Sequence, residues 1–254
     1  MTHPVKGIDH CFALVDDLDG AARQYAALGF TLSPRGLHSP AKGTANYTMM
    51  FPHDYFELLG VVEPTEMNAS RRALLSRSGE GLHAIACRID DAEQAARDLA
   101  GLGIVTENLS HFSRPVPLPD GGEGTAAFST VSFTQDETPR GILFMCQHRT
   151  PETVWIPELL DHPNKVSGLA AVLALSDDPA TEADRFARLW DKGRTVKDGP
   201  GMTVETGLGS APLILLTRDS MQALYPEIDL SATATGAFTA VRVVTTDPDA
   251  ARAG

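Results

Sequence analysis

The chain has 254 residues, and its composition of 43% hydrophobic and 21% charged residues excludes a wholly disordered protein. Its 33 acidic residues outnumber its 21 basic residues, and the formal net charge of −12 argues against nucleic acid or an anionic membrane as a partner. No apolar run approaches the roughly 18 residues of a membrane span, and residues 1–10 lack the apolar core of a signal peptide. With three cysteines that form no CxxC pair, these features predict a cytoplasmic globular protein with reduced thiols.

Two segments of the chain resemble each other. Residues 10–30 read HCFALVDDLDGAARQYAALGF, and residues 83–104, which start 73 positions later, read HAIACRIDDAEQAARDLAGLGI. A weaker copy occupies residues 169–193, and the start of a fourth copy lies at Phe238 and stops within its helix. We therefore expect repeated units, the last of them truncated.

In each copy the pattern predicts a strand followed by a helix. The first apolar run ends at Asp16-Asp17, where a carboxylate can cap the helix that follows. Gly29 stands where a residue in the left-handed conformation would end that helix. The second copy repeats both signals with Asp91 and Gly103.

Further strands are predicted after each helix, from short runs of β-forming residues between turn residues. They lie at residues 31–33, 45–51 and 55–61 in the first copy, 126–134 and 142–147 in the second, and 203–206 and 212–216 in the third. Each unit is therefore βαβββ, and the predicted fold class is α+β with tandem βαβββ modules.

The same pattern predicts the domain organisation. Paired modules at residues 6–66 and 81–148 form a first domain, 6–148, which carries the expected site. A linker at 149–165 leads to the second domain, 166–254, with the third module and the truncated start of the fourth. An unfinished fourth module leaves a sheet edge exposed, which favours a homodimer.

The paired units resemble those of the vicinal oxygen chelate superfamily, which includes glyoxalase I, extradiol dioxygenases and bleomycin-binding proteins. The resemblance is carried by the βαβββ repeat, by His10 near the start of strand one and by Glu57 in strand four. The stretches IDHCFALVDDLDGAARQYAALGF, PRGLHSPAKGTANYTMMF and YFELLG resemble its glyoxalase-like domain branch. The resemblance implies that each pair of modules curls its sheets into a half-open barrel around one metal and substrate cavity.

A metal site is expected in the first pair of modules. Side chains alternate between the faces of a strand, so His10 and Glu57 can point into one concavity, and His83 is the counterpart of His10 in the second copy. Two imidazoles and one carboxylate suit one divalent ion, with Fe, Mn, Zn and Ni left open. Glu57 lies in an apolar strand, where an ionised carboxylate is costly unless it meets a cation. We assign it a catalytic role as well, against the alternative of a solvated, outward-facing side chain.

The position of a fourth ligand departs from the pattern of glyoxalase I. The Gly-x-x-x-Glu setting of that enzyme aligns with Gly141 to Met145, which puts a poor ligand at the place of the glutamate. Gln147, two residues later, becomes a fourth ligand only if the register shifts. Glyoxalase I activity is therefore not expected.

Candidate substrate-binding residues lie near the expected cavity mouth. The resemblance marks PRGLHSPAKGTANY there, with Arg35, His38 and Asn46. An arginine fork suits a substrate carboxylate or phosphate, although a solvated loop is an equal alternative. Arg114, in the long loop of the second unit, carries the same two interpretations.

These inferences lead to two hypotheses about function. The first is a metal-dependent enzyme with lyase, isomerase or dioxygenase chemistry on a small oxygen-rich substrate. The alternative is a metal-free protein of the same fold that binds or sequesters a small molecule. Metal content separates the two.

Overall fold

The computed structural model describes residues 2–231 and 238–253. The first module comprises β1 (Ile8–Val15), α1 (Leu18–Ala27), β2 (Gly36–Leu37), β3 (Thr44–Met50) and β4 (Tyr55–Val61), and helix α2 (Ala69–Ser78) follows it. The second comprises β5 (Gly81–Arg88), α3 (Ala92–Gly101), β6 (Thr106–Pro117), β7 (Glu123–Phe133) and β8 (Ile142–His148). After 3-10 turns at Pro151–Thr153 and Pro157–Leu159 come β9 (Val166–Leu175), α4 (Pro179–Ala187), β10 (Arg194–Asp198), β11 (Gly201–Glu205) and β12 (Leu213–Leu216). The chain continues with α5 (Arg218–Leu224), β13 (Ala240–Thr245) and α6 (Pro248–Ala253).

The strands form two sheets with related topology. The larger sheet has the order β2-β3-β4-β1-β5-β8-β7-β6, and it curls so that its edge strands β2 and β6 come into contact. The smaller sheet has the order β10-β11-β12-β9-β13, and its antiparallel β9–β13 pair repeats the β1–β5 pair that joins the first two modules. This arrangement confirms the α+β class and the tandem, paired βαβββ modules.

The ends of the module helices follow the sequence signals. Asp17 accepts a hydrogen bond of 2.8 Å from the amide of Gly20 at the start of α1, and Asp91 accepts one of 2.7 Å from Gln94 at the start of α3. Gly29 and Gly103 have φ of +80° and +72°, in the left-handed region that glycine favours. The predicted caps and helix ends are confirmed.

Two elements lie elsewhere than predicted. The second strand of the first module is at Gly36–Leu37, whereas Ser33 makes an isolated main-chain bond of 2.8 Å to Thr48. The long loop predicted around Arg114 is strand β6, paired with β7. Most side chains of β6 are exposed or half-buried, so its sequence lacks the apolar alternation that indicates a strand.

The core lies between the convex face of the larger sheet and the second half of the chain. One cluster of buried side chains includes Cys11 and Leu58 from the first sheet and Val172 and Phe186 from the second half. Because this core is shared, the division of the chain into two domains stays a prediction. The concave face of the larger sheet is left for a cavity. In the part of the chain that the structure describes, no helix has the length and hydrophobicity needed to span a membrane.

Candidate functional site

The concave face of the larger sheet encloses a cavity of about 1220 Å³. Strand alternation supplies its walls, since His10 and Phe12 of β1 and Tyr55 and Glu57 of β4 point into it. Helix α2 covers one side of the cavity and contributes Arg71.

Two β-bulges decide which side chains of the central strands reach the cavity. In the β1–β5 pair, Ile8 is opposite Cys87 but His10 is opposite Ala86, so Asp9 is an extra residue on β1. Further along, the register leaves His83 as an extra residue on β5. Each bulge displaces one polar side chain from the alternation of its strand.

The carboxylate of Asp9 bridges two histidines. Its Oδ1 lies 2.8 Å from Nδ1 of His10 and 2.9 Å from Nε2 of His148, and Arg88 donates to Oδ2 at 3.3 Å. Burial by itself raises the pKa of Asp9, but the charge of His148 and hydrogen bonds from both histidines outweigh it and hold that pKa well below its usual range. Asp9 is therefore ionised and can only accept, so both histidines donate to it.

The other ring nitrogen of His10 faces Glu57. Nε2 of His10 lies 3.6 Å from Oε2 of Glu57 and 3.5 Å from the hydroxyl of Tyr55, whose ring stacks on the imidazole. Oε1 of Glu57 accepts a hydrogen bond of 2.8 Å from Nδ2 of Asn46. An imidazole nitrogen and a carboxylate therefore meet at the cavity wall.

Three cationic side chains line the cavity around this pair. They are Lys42 from the loop before β3, Arg71 from α2 and Arg114 from β6. Burial lowers the pKa of all three, that of Lys42 to about 8, and the charge of Glu57 opposes the shift. The ammonium of Lys42 also lies 3.0 Å above the ring of Phe112.

His38 is a neutral member of the same wall. Its Nδ1 lies 2.7 Å from the hydroxyl of Thr44. Burial, followed by the charges of Lys42, Arg114 and Arg71, lowers the pKa of His38 to about 3. His38 therefore offers a hydrogen-bonding ring without a charge.

The structure places most of the sequence-predicted site residues at the cavity. Those that line it are His10, His38, Asn46, Glu57, His83 and Arg114. Arg35 instead lies 3.2 Å from Asp19, and Gln147 accepts a hydrogen bond of 3.2 Å from the amide of Ala92 at the start of α3. These two side chains are therefore engaged with the helices on the convex side of the sheet.

His83 lines the cavity but is bonded to the end of α2. Its Nε2 lies 2.9 Å from the carbonyl oxygen of Gly79. Among the described residues, the group of three whose ligand atoms all lie within 4.8 Å of one another is Asp9, His10 and His148. This cluster is the candidate metal-ligating group, and the triad of His10, Glu57 and His83 stays a prediction.

Sequence reasoning did not identify several of these residues. Asp9 was not assigned because strict alternation turns it away from His10, and the bulge is not visible in the sequence. His148 follows Phe144 and Cys146 at a spacing of two, so strand parity could have indicated it. Lys42 and Arg71 lie in a loop and in an inserted helix, where the sequence carries no periodic signal.

Comparison with known proteins identifies the family. The sequence matches the model of a family described as a glyoxalase-like domain over residues 8–190. The chain belongs to the glyoxalase-like domain family. This confirms the resemblance to the vicinal oxygen chelate superfamily. No curated protein matches the sequence.

Two solved structures are similar to this glyoxalase-like protein to different degrees. A hypothetical protein from Staphylococcus aureus has a TM-score of 0.64 at 14% identity, and the match covers 84% of this chain and 86% of that one. Methylmalonyl-CoA epimerase from Mycobacterium tuberculosis has a TM-score of 0.46 at 20% identity, and the match covers 58% of this chain and 91% of that one. The first of these supports the fold over most of the chain.

Proposed function

We propose that this glyoxalase-like protein is an enzyme that moves a proton on a small oxygen-bearing molecule bound in the cavity. The observation that carries the proposal is the approach of His10 Nε2 to Glu57 Oε2, 3.6 Å apart at the wall of a cavity of about 1220 Å³. Lyase or isomerase chemistry is the reaction class that such a pair supports.

Each residue of the pair has a separate role in this proposal. The bond from Nδ1 of His10 to Asp9 leaves Nε2 as an acceptor while the ring is neutral and as a donor once it is protonated. Glu57, held by Asn46, accepts a proton from the bound molecule and returns it at a neighbouring atom. His10 stabilises the charge that changes on Glu57, or on the substrate oxygen beside it.

The resemblance implies a divalent metal, but β5 supplies no ligand side chain opposite His10 or Phe12. In the strand pairing, the residue opposite His10 on β5 is Ala86, and the one opposite Phe12 is Ala84. A ligand side chain is therefore missing at both positions.

The cluster of Asp9, His10 and His148 is explained without an ion as well. Both ring nitrogens lie within 2.9 Å of one carboxylate oxygen, which is the distance of charge-assisted hydrogen bonds. We therefore assign no step of the reaction to a metal.

Metal analysis and a substitution test the proposal together. Protein purified without chelator is expected to contain well below one equivalent of Fe, Mn, Zn or Ni. About one equivalent of metal, reduced sharply by Glu57→Ala, would contradict the metal-free chemistry.

Proton transfer is measured as deuterium uptake from D₂O into a panel of carbonyl compounds. Glu57→Gln is expected to reduce uptake by about 10²–10⁴-fold, and Glu107→Gln, at the exposed rim of the same cavity, should leave it unchanged.

A second candidate is a protein that binds or sequesters a small molecule. It is favoured by the cavity volume, which exceeds the roughly 300–1,000 Å³ of a typical ligand pocket. Binding without turnover by the unaltered protein, and no effect of Glu57→Gln on deuterium uptake, would select this candidate.

A further inference from the structure

We infer that Lys42, Arg71 and Arg114 form a subsite for the acidic head group of an amphipathic organic anion, a carboxylate or a phosphate ester. The inference names the substrate class of the proposed enzyme and rests on that proposal for its catalytic meaning. The anion-binding property itself depends on the cations alone.

The first observation is that these three cations lack acidic partners. Within the described part of the chain, none of them forms an ion pair at 4.0 Å or less, whereas Arg88 pairs with Asp9 and Arg140 with Glu182. Nε of Arg71 is buried and has no hydrogen-bond partner among the described residues. Burying cationic groups without partners is costly, which indicates that a bound anion completes the site.

The second observation is that Arg71 lies at a position where its positive charge destabilises the helix. Arg71 is in the first turn of α2, where a positive charge is unfavourable to the helix dipole. Asn68, fully buried at the helix N-cap, donates to the carbonyl oxygens of Lys42 at 2.9 Å and Glu63 at 2.7 Å. These bonds fix the loop of Lys42 against the start of α2, so the two cations are held in one place.

The head group of Arg114 occupies space that a side chain at position 36 would fill. A Cβ at Gly36 would lie 2.7 Å from the guanidinium carbon of Arg114 and 2.3 Å from Oδ1 of Asn46. Because those distances are too short for any contact, only glycine lets the Arg114 head group lie beside Asn46. The charges of Lys42, Arg114 and Arg71 all act on His38, which supports their convergence on one part of the cavity.

The charge balance of the cavity favours an anion. Glu57 is the acid that acts on all three cations, so this wall carries a net positive charge inside a protein whose net charge is −12. The remaining walls are mixed, and their apolar part includes Phe12, Val116, Phe128 and Phe144. A molecule with an acidic head and an apolar body matches both parts.

Calorimetric titration tests the subsite with three probes of equal chain length: octanoate, octyl phosphate and 1-octanol. Octanoate or octyl phosphate is expected to bind at least tenfold more tightly than octanol, and the tighter of the two identifies the head group. Arg71→Gln and Arg114→Gln should each weaken anion binding about tenfold or more. Arg97→Gln on the exposed surface of α3 makes the same change in net charge and should have no effect. Equal affinity for octanol, or unchanged binding in both cavity variants, overturns the inference.

Glu57→Gln separates this inference from the proposed enzyme. It removes a negative charge from the cavity, so anions should bind as tightly as before or more tightly. Weaker anion binding in this variant would overturn the subsite, because the anion would then depend on Glu57. Cavity variants that lose anion binding, together with a Glu57→Gln protein of unaltered proton transfer, would leave the subsite standing and remove the proposed chemistry.

Discussion

The carboxylate of Asp9 determines the orientation of the His10 ring at the cavity wall. The carboxylate is fully buried and has three charged or ionisable partners, so it fixes both the tautomer and the orientation of the ring. We expect Asp9→Asn to lower the free energy of unfolding by about 3–5 kcal/mol, because it removes one partner of a buried ionic network. Urea unfolding followed by circular dichroism measures the change, with Asp177→Asn at an exposed position before α4 as the control. A loss below about 1 kcal/mol would show that the network contributes little.

His38 gives the protein a pH dependence of known sign. The unfolded chain takes up a proton near pH 6.5, whereas the folded protein keeps His38 neutral down to about pH 3. The contribution of His38 to the free energy of unfolding is therefore fully present above pH 6.5. It decreases as the pH falls toward 3, by at most about 1.4 kcal/mol per pH unit. The difference in unfolding free energy between wild type and His38→Asn should shrink over this range. Taking that difference removes the contributions of other titratable groups to the pH dependence. One such group is Asp54, whose pKa is raised by burial to about 6. A pH-independent difference contradicts the assignment.

The sequence could predict that His10 and Glu57 share a face, because both lie in regular strands with a period of two. It could not predict the placement of His83 or Asp9. Each is the extra residue of a bulge, and a bulge is set by how two strands pair rather than by either strand alone. Arg35 was assigned to the cavity from its motif, yet its guanidinium is near Asp19 of α1.

At the scale of elements, α2 covers one side of the cavity. None of its residues is buried, unlike those of α1 and α3. Leu74 and Leu75 pack against the sheet while half-buried, and Asn68 bonds the start of the helix to the loop of Lys42. We expect Asn68→Ala to leave the carbonyl oxygens of Lys42 and Glu63 without their donor and to cost about 1–3 kcal/mol. Amide hydrogen exchange of α2 should then accelerate more than that of α3 in the same molecule. Equal acceleration in both helices would indicate a global effect instead.

The regular elements of the modules were accessible to sequence reasoning because their signals are local. The caps of α1 and α3 need only Asp17 and Asp91, and their ends need only a glycine. Strand β6 gave no such signal, because its more buried face carries the polar Ser110 and Arg114 beside Phe112 and Val116. Its place in the sheet comes from main-chain pairing with β7, and this brings Arg114 to the cavity.

For the whole molecule, the two halves are tied by a charged pair as well as by the shared core. Arg140, before β8, binds Glu182 of α4 through two contacts, and both side chains are largely buried. Glu182→Gln should lower the free energy of unfolding by up to about 3–5 kcal/mol, since it leaves the guanidinium without its charge partner. The exposed pair of Arg194 and Glu205 is a matched control, and Glu205→Gln should change the free energy of unfolding little.

Thermal unfolding of the wild-type protein should be a single transition, because the two halves share one core. Two separate transitions would contradict a shared core.

The additional residue in β5 has a consequence for duplicated units in general. Two copies of a module can have similar sequences and still direct different side chains into a shared cavity. This happens because one bulge residue changes the orientation of the side chains next to it. Here the imidazole of the first copy faces the carboxylate of Glu57, whereas that of the second copy lies against the main-chain oxygen of Gly79 at the end of α2.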